Sequence, residues 1–189
     1  MKICVYGASS NKIDKRYIQQ TEELGLKMAK RGHELIYGAG DNGLMGAVAR
    51  GMTKGGGKIT GVVPSFFNVD GVLYQKCDEM IYTETMRIRK QIMEDSSDAF
   101  VMAPGGLGTF DEFFEIMTLK QLARHSKPIA VLNILGYYDK LFQFLEHATE
   151  EGFVRKDYVE MLKIFDNPDA LLDYVENYDG KPTLFKDLK

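Results

Sequence analysis

The residues best suited to binding a phosphate form the segment PGGLGT at 104–109, which follows an apolar run and leads into a helical pattern. Glycine lets the backbone approach a ligand closely, and the N–H groups at the start of a helix carry partial positive charge. The segment therefore predicts a binding site for one phosphate, formed by Gly105, Gly106, Leu107, Gly108 and Thr109. The alternative is a tight strand-to-helix turn that binds nothing.

Two well-known phosphate-binding motifs do not match the segments PGGLGT and GASS. No Gly-Lys-Ser/Thr follows residues 104–109 as in a Walker loop, and neither this segment nor GASS at 7–10 has the spacing G-x-G-x-x-G. A mononucleotide therefore fits better than NAD or a triphosphate bound with Mg²⁺. Ser9 and Ser10 are further candidates for contacts to phosphate or ribose, with an N-cap role in the first helix as the alternative.

Glu112 is the next candidate for chemistry, because it follows the glycine-rich segment closely. With Thr109 it makes the pattern T-x-x-E, which is typical of a helix capping box and would tie the carboxylate to the backbone. On a helical wheel, Glu112 also lies in the sector of an apolar arc formed by Ile116, Leu119 and Ala123. A partly desolvated carboxylate there could act as a base or accept a hydrogen bond from a sugar hydroxyl.

The helix that carries Glu112 has two apolar sides. Its main face combines Phe110, Phe113, Phe114 and Met117 and is expected to lie against a sheet. The second arc indicates that another helix or a second subunit covers the opposite side. We therefore predict a homodimer or a larger homo-oligomer.

Two consecutive basic residues, Arg89 and Lys90, lie in the helical stretch that precedes the apolar run at 99–103. If this helix points back to the glycine-rich segments, both cations are within reach of a phosphate or of developing negative charge. Basic side chains on a solvated helix surface are the common alternative.

The elements that must position these residues follow from the alternation of short apolar runs with amphipathic stretches. Runs at 3–6, 34–37, 59–63, 99–103, 129–132 and 161–165 predict buried parallel strands. Stretches at 14–30, 43–54, 84–95, 108–124, 137–151 and 168–177 predict helices. The pattern predicts an α/β fold, a doubly wound parallel sheet with helices on both faces, and one domain over residues 1–189. Ligands of such sheets bind beyond the carboxyl ends of the strands, where the glycine-rich segments lie.

Composition narrows the class of protein. The net charge of −3, from 24 basic and 27 acidic residues, disfavours nucleic acid and anionic lipid as partners. The sequence contains no apolar run long enough to span a membrane and shows no signal-peptide pattern. Its two cysteines are too few for a disulfide framework. We therefore expect a cytoplasmic protein. Three scattered histidines lack the spacing of metal ligands, and we expect neither a metal nor another cofactor.

Several segments, in order along most of the chain, resemble the Lonely Guy (LOG) family. PGGLGTFDE at 104–112 matches the family pattern P-G-G-x-G-T-x-x-E, and YGAGDNGLMG at 37–46 is similar to Y-G-G-G-x-x-G-L-M-G. Met86, Arg89 and Lys90 match the family pattern M-x-x-R-K. Similar segments also occur at 7–10, 61–64, 97–100, 121–129 and 132–138. The chain departs from the family at Ile88, where Glu is common, and at Ala39, where the family has Gly.

The resemblance implies a Rossmann-like fold, usually a dimer, that cleaves the N-glycosidic bond of a nucleoside 5′-monophosphate. The substrate would be AMP or N6-modified AMP, and the products a free base and ribose 5-phosphate. Arg89 and Glu112 would be the catalytic residues, while Met86, Lys90, the two serines and residues 105–109 would bind the substrate. Cleavage of such a bond passes through an oxocarbenium-like state, which a carboxylate beside the ribose stabilises.

Two other functions are weighed against this one. A protein of the same fold could bind a nucleotide or a phosphorylated cofactor without cleaving it, as nucleotide sensors and molybdenum cofactor carriers do. The combination of Arg89 with Glu112 favours the enzyme, because a carrier has no need of that pair. A PLP-dependent decarboxylase is rejected, because no lysine lies in a recognisable Schiff-base context.

Overall fold

The computed structural model describes residues 1–67 and 71–180. The strands are β1 (Lys2–Tyr6), β2 (Glu34–Tyr37), β3 (Ile59–Pro64), β4 (Glu79–Thr83), β5 (Ala99–Met102), β6 (Ile129–Leu132) and β7 (Lys163–Phe165). The helices are α1 (Lys15–Lys30), α2 (Gly43–Gly55), α3 (Met86–Asp95), α4 (Leu107–Gln121), α5 (Asp139–Glu150), α6 (Lys156–Glu160) and α7 (Pro168–Glu176), with short 3₁₀ turns at Ser65–Phe67 and Ile134–Gly136.

The seven strands form one parallel sheet in the order β4-β3-β2-β1-β5-β6-β7. Alternate residues of the central strands face opposite sides, as the period of two requires. Ile3 and Val5 of β1 pack with α1, α2 and α7, while Cys4 and Tyr6 pack with side chains of α3 and α4. The predicted doubly wound α/β sheet, with helices on both faces, is confirmed. The expectation of one domain included residues 181–189, which lie outside the described residues.

All six predicted strands and all six predicted helices are present, with shifts at their ends. Strand β4 was not predicted, because this edge strand has only one buried residue, Thr83, and begins with Glu79. Helix α6, which has five residues, was not predicted either. The last strand begins at Lys163 rather than at residue 161.

Helix α4 ends earlier than expected, because the chain turns at Ala123 into the left-handed region with φ 56°. Its packing face also differs from the expectation. Phe113, Ile116 and Met117 are buried in the core, whereas Phe114 is 36% exposed. The predictions that Ile116 lies in the second arc and that Phe114 lies against the sheet are therefore wrong. The packing face of α4 is thus rotated toward Ile116 and away from Phe114.

None of the helices within residues 1–67 and 71–180 combines the length and the apolar character that crossing a bilayer demands.

Candidate functional site

The segments after β1, β2, β3 and β5 enclose a cavity of about 490 Å³ at the carboxyl ends of the strands. We call it the loop cavity. Its described lining combines backbone-rich segments, two charged side chains and an apolar wall: Gly7, Ala8, Ser9, Ser10, Gly38, Gly40, Met45, Val63, Pro64, Phe67, Val72, Leu73, Met86, Arg89, Gly106, Leu107, Gly108, Thr109 and Glu112. The cavity lies where ligands of doubly wound sheets bind.

The glycine-rich segment at 104–109 opens α4 toward this cavity. Gly106 is the N-cap, and the first helical hydrogen bond joins the N–H of Phe110 to the carbonyl of Gly106 at 3.0 Å. The N–H groups of Gly106, Leu107, Gly108 and Thr109 therefore precede the internal bonds of the helix. All four residues line the loop cavity. Such a helix start is suited to an anion.

The start of α2 differs in this respect. Residues 38–43 have the spacing G-x-G-x-x-G, and they lie between β2 and α2. The first N–H groups of α2 are already bonded, however. Gly43 donates to Oδ1 of Asn11 at 2.7 Å, and Leu44 donates to the carbonyl of Ala8 at 2.8 Å. The start of α4 is thus the better place for a phosphate.

Gly105 is the one predicted phosphate-binding glycine that does not line the cavity. It is buried, and a Cβ at this position would lie 2.1 Å from Oγ1 of Thr109. Only glycine leaves room for the Thr109 side chain beneath the segment. The role that the structure supports for Gly105 is therefore close packing.

Glu112 does not cap its helix. Because α4 begins at Leu107, Thr109 is the third helical residue and Glu112 lies in the second turn. The capping-box interpretation is therefore wrong. The Glu112 carboxylate instead forms an ion pair with the Arg89 guanidinium of α3, and both groups line the loop cavity.

The ion pair is largely withdrawn from water, with side-chain exposures of 7% for Arg89 and 12% for Glu112. Burial raises the pKa of Glu112 above its usual value, and the charge and hydrogen bond of Arg89 partly oppose this. Arg89 has a second anchor, because its Nε donates to the carbonyl of Val62 at 3.0 Å. The side chain is thus held by β3 and by Glu112 at once.

The three other predicted contacts in the cavity are Ser9, Ser10 and Met86, which all line it. The alternative N-cap role for the serines is wrong, because Asp14 caps α1 and accepts a hydrogen bond from the N–H of Arg16 at 2.9 Å. The Ser10 hydroxyl accepts a hydrogen bond from the N–H of Lys12 at 3.1 Å.

Lys90 is not brought to the loop cavity. Its Nζ lies 3.0 Å from Asp111 and 2.7 Å from Glu115, both on α4. Burial alone would lower the pKa of Lys90, but the bonds to Glu115 and Asp111 outweigh it and raise the pKa. The two neighbouring residues therefore have different positions. Lys90 joins α3 to α4 at the surface, whereas Arg89 faces the cavity.

The apolar wall of the cavity is formed by Met45, Phe67, Val72 and Met86, of which only Met86 was predicted from the sequence. Val72 and Leu73 belong to a segment without a regular element, which is bonded to the turn after β2. The N–H of Asp41 donates to the carbonyl of Val72 at 3.0 Å, and the N–H of Tyr74 donates to the carbonyl of Ala39 at 2.9 Å. The sequence signal for this contact is weak, because the bonds join backbone groups far apart in the chain.

Ala39 lies in that turn with φ 63°, in the left-handed region that favours glycine. This accounts for glycine in the family pattern at this position. The methyl group is fully buried and packs with Val63 and Leu73, so it gains contacts that offset part of the backbone strain.

Within the described parts of the chain, no three histidine, cysteine, aspartate or glutamate residues come together as a metal site would require. Among the described residues that line the loop cavity there is also no lysine.

The chain is thus an α/β protein with a doubly wound sheet, and the open start of α4 and the buried Arg89–Glu112 ion pair lie at the carboxyl edge of the sheet, where such proteins bind ligands. The family model described as "Possible lysine decarboxylase" matches residues 45–175. The chain belongs to this family, which is the LOG family of the resemblance described above.

Curated relatives carry a more specific name. Cytokinin riboside 5′-monophosphate phosphoribohydrolase LOG2 from Arabidopsis thaliana is 34% identical over 95% of this chain and 84% of its own length. The probable cytokinin riboside 5′-monophosphate phosphoribohydrolase LOGL5 from Oryza sativa subsp. japonica is 36% identical over 96% of this chain and 74% of its own length.

Solved structures share the fold at lower identity. The molybdenum cofactor binding protein of Rippkaea orientalis has a TM-score of 0.72 and 21% identity, covering 93% of this chain and 94% of that one. The molybdenum cofactor carrier protein of Chlamydomonas reinhardtii has a TM-score of 0.70 and 22% identity, covering 93% and 95%. At these identities the likeness concerns the fold alone.

Proposed function

We propose that this protein is a nucleoside 5′-monophosphate phosphoribohydrolase, which hydrolyses AMP or N6-modified AMP to the free base and ribose 5-phosphate. The names of the curated relatives support this activity. The observation that carries it is the buried Arg89–Glu112 pair, which lies in one cavity with the open start of α4. A phosphate site and a carboxylate in the same cavity are what this reaction needs.

In the proposed mechanism, the N–H groups of Gly106, Leu107, Gly108 and Thr109 bind the 5′-phosphate and thereby fix the ribose beside Glu112. The C1′–N bond breaks, and its electron pair leaves with the base. Glu112 stabilises the positive charge that develops on the sugar. Water adds to C1′ and loses one proton, which the departing base takes up, so the charges balance.

Arg89 serves the carboxylate in this proposal. The positive charge of Arg89 opposes the effect of burial on the pKa of Glu112 and favours the ionised carboxylate. The hydrogen bond from Arg89 to the Val62 carbonyl keeps the guanidinium beside that carboxylate. A second carboxylate, as in common glycosidases, is not part of the proposal. The nearest candidate, Asp111, accepts hydrogen bonds from Lys90 instead.

The base is proposed to lie against the apolar wall. Met45, Phe67, Val72 and Met86 surround that part of the cavity with carbon and sulfur surface. Burial of a planar purine there contributes favourable binding free energy. An apolar N6 substituent adds to this free energy in proportion to the apolar area that it buries.

Binding without cleavage is the second candidate function, because proteins named for molybdenum cofactor share the fold. The experiment that separates the two is incubation with AMP and with N6-isopentenyl-AMP, followed by chromatography. The enzyme releases free base and ribose 5-phosphate in equal amounts. A binding protein gives a rise in melting temperature with nucleotide and no free base.

We also propose that two copies of the chain form a homodimer through α4. Leu107, Phe114 and Leu122 are 87%, 36% and 40% exposed, and the first two line an open groove. A second copy that covers them would bury apolar surface. Sedimentation equilibrium of the natural chain and of Phe114→Asp tests this, with a shift toward monomer expected in the variant.

We also propose a cytoplasmic location, since Cys4 and Cys77 are both free thiols.

A further inference from the structure

Three consecutive carbonyl groups before α4 accept hydrogen bonds from other parts of the chain. The Ala103 carbonyl accepts from the Tyr138 hydroxyl at 2.8 Å, and the Pro104 carbonyl accepts from the N–H of Ala8 at 3.0 Å. The Gly105 carbonyl accepts from the Tyr137 hydroxyl at 2.8 Å. Each of these carbonyl oxygens points toward a donor of the protein. It therefore does not point into the cavity, where it would repel an anion.

The bond to Gly105 has a consequence that the other two lack. A trans peptide unit is planar, so its C=O and N–H point in opposite directions. The unit that contains the Gly105 carbonyl also contains the N–H of Gly106, the N-cap residue, which lines the loop cavity. Holding the Gly105 carbonyl therefore also sets the direction of the Gly106 N–H.

This peptide unit is also the one most in need of a restraint. It joins two glycines, which rotate about φ and ψ more freely than any other residues. Rotation of the unit by half a turn would replace an N–H donor at the phosphate position by a carbonyl oxygen. A single hydroxyl bond to the carbonyl opposes that rotation.

Tyr137 is well fixed for this purpose. It follows Gly136, which has φ 68°, and the chain turns there from the end of β6 toward the glycine-rich segment. Its ring packs edge-on against Tyr17, with centroids 5.9 Å apart, and against Tyr138, with centroids 4.8 Å apart. The ring is thus held from two sides although it is 44% exposed.

We infer that Tyr137 is a positioning residue for phosphate binding: its hydroxyl holds the Gly105–Gly106 peptide unit with the N–H toward the loop cavity. The inference rests on the proposed function in one respect, the place of the phosphate at the start of α4. It assigns Tyr137 no contact with the substrate and no part in bond cleavage.

The test compares Tyr137→Phe with Tyr138→Phe. Each variant loses one hydroxyl and keeps its ring. Tyr138 is the matched control, because its hydroxyl bonds the Ala103 carbonyl and also interacts with the backbone N–H of Gly105. Both groups belong to peptide units that precede the one containing the Gly106 N–H. The probe is ribose 5-phosphate, measured by isothermal titration calorimetry, because it carries the phosphate and has no base to lose.

We expect Tyr137→Phe to weaken the binding of ribose 5-phosphate about 10-fold, which is the size of one hydrogen bond to a charged group. Tyr138→Phe is expected to lower the melting temperature and to change this affinity less than about 2-fold. In turnover, Tyr137→Phe raises KM for AMP and leaves kcat within about 3-fold, whereas kcat/KM for adenosine is unchanged.

Equal affinity in the natural protein and in Tyr137→Phe overturns the inference, as does an equal loss in both variants, which indicates a general loosening of the segment. Failure of the proposed reaction is recognised separately. In that case no base is released from AMP, while ribose 5-phosphate binding still follows the expected order of the two variants. If the natural protein does not bind ribose 5-phosphate, the phosphate position and the inference both fail.

Discussion

The guanidinium of Arg89 packs directly against the backbone of Gly38 at the edge of the sheet. A Cβ at residue 38 would lie 2.1 Å from Nη2 of Arg89, so the guanidinium occupies the volume that any side chain at this position would fill. Arg89 cannot move aside without loss, because Val62 and Glu112 hold its other nitrogens. The first glycine after β2 is therefore needed for the ion pair that faces the cavity.

Gly38→Ala is accordingly expected to displace the guanidinium and to separate it from Glu112. The expected result is a loss of about 10-fold or more in kcat for base release, because the carboxylate loses both its partner and its fixed position. Steady-state kinetics with AMP measures this.

Gly57→Ala is the control for that variant. A Cβ at residue 57 would lie 2.5 Å from Cε of Met52 and 2.7 Å from Cβ of Ala29, so it also meets crowded surroundings, but it lies outside the described lining of the cavity. We expect it to lower the melting temperature and to leave kcat within about 3-fold. A similar loss of kcat in both variants would show that crowding in general, and not displacement of Arg89, reduces the activity.

The pKa of Glu112 is expected to depend on Arg89. Burial raises this pKa and Arg89 lowers it in part, so we expect Arg89→Met to raise the pKa of Glu112 further. The reaction needs the ionised carboxylate and is lost as the pH falls through this pKa. The acidic limb of kcat/KM therefore moves to higher pH in the variant, and ¹³C NMR of the carboxyl group follows the same titration. An acidic limb at the same pH in both proteins contradicts this account of the pair.

Lys90→Met distinguishes a role in substrate binding from a role in tying two helices together. The ion pairs with Asp111 and Glu115 predict a decrease of about 1 kcal/mol or less in the free energy of unfolding, since both partners are substantially exposed. KM for AMP is expected to stay within about 2-fold, and Lys90→Arg to retain the stability. A rise in KM of about 10-fold or more would instead assign Lys90 to the phosphate.

The positions of the strands and of the glycine-rich segments could be predicted from the sequence, because buried strands leave short apolar runs and parallel strands end at one edge. The directions of neighbouring side chains were harder. Arg89 and Lys90 were treated as a pair, yet successive residues of a helix point about 100° apart, so one faces the cavity and the other faces α4.

The capping box illustrates a different obstacle. The pattern from Thr109 to Glu112 fits the rule with Thr109 as N-cap, but the actual N-cap lies three residues earlier, because the helix begins at Leu107. The N-cap is Gly106, which has no side chain to cap the helix. The Glu112 carboxylate therefore takes no part in capping and pairs with Arg89. The apolar wall at Val72 could not be predicted either, because it depends on a bond between backbone groups 31 residues apart, at Asp41 and Val72.

The most direct test of the central claim is the rate of base release from AMP by the natural protein, by Glu112→Gln and by Asp111→Asn. The two variants each neutralise one carboxyl group on adjacent residues of α4, but only Glu112 faces the loop cavity. We expect Glu112→Gln to lose about 100-fold or more in kcat and Asp111→Asn to stay within about 3-fold of the natural protein. A kcat in Glu112→Gln within about 3-fold of the natural protein would contradict the role of Glu112 and the mechanism built on it.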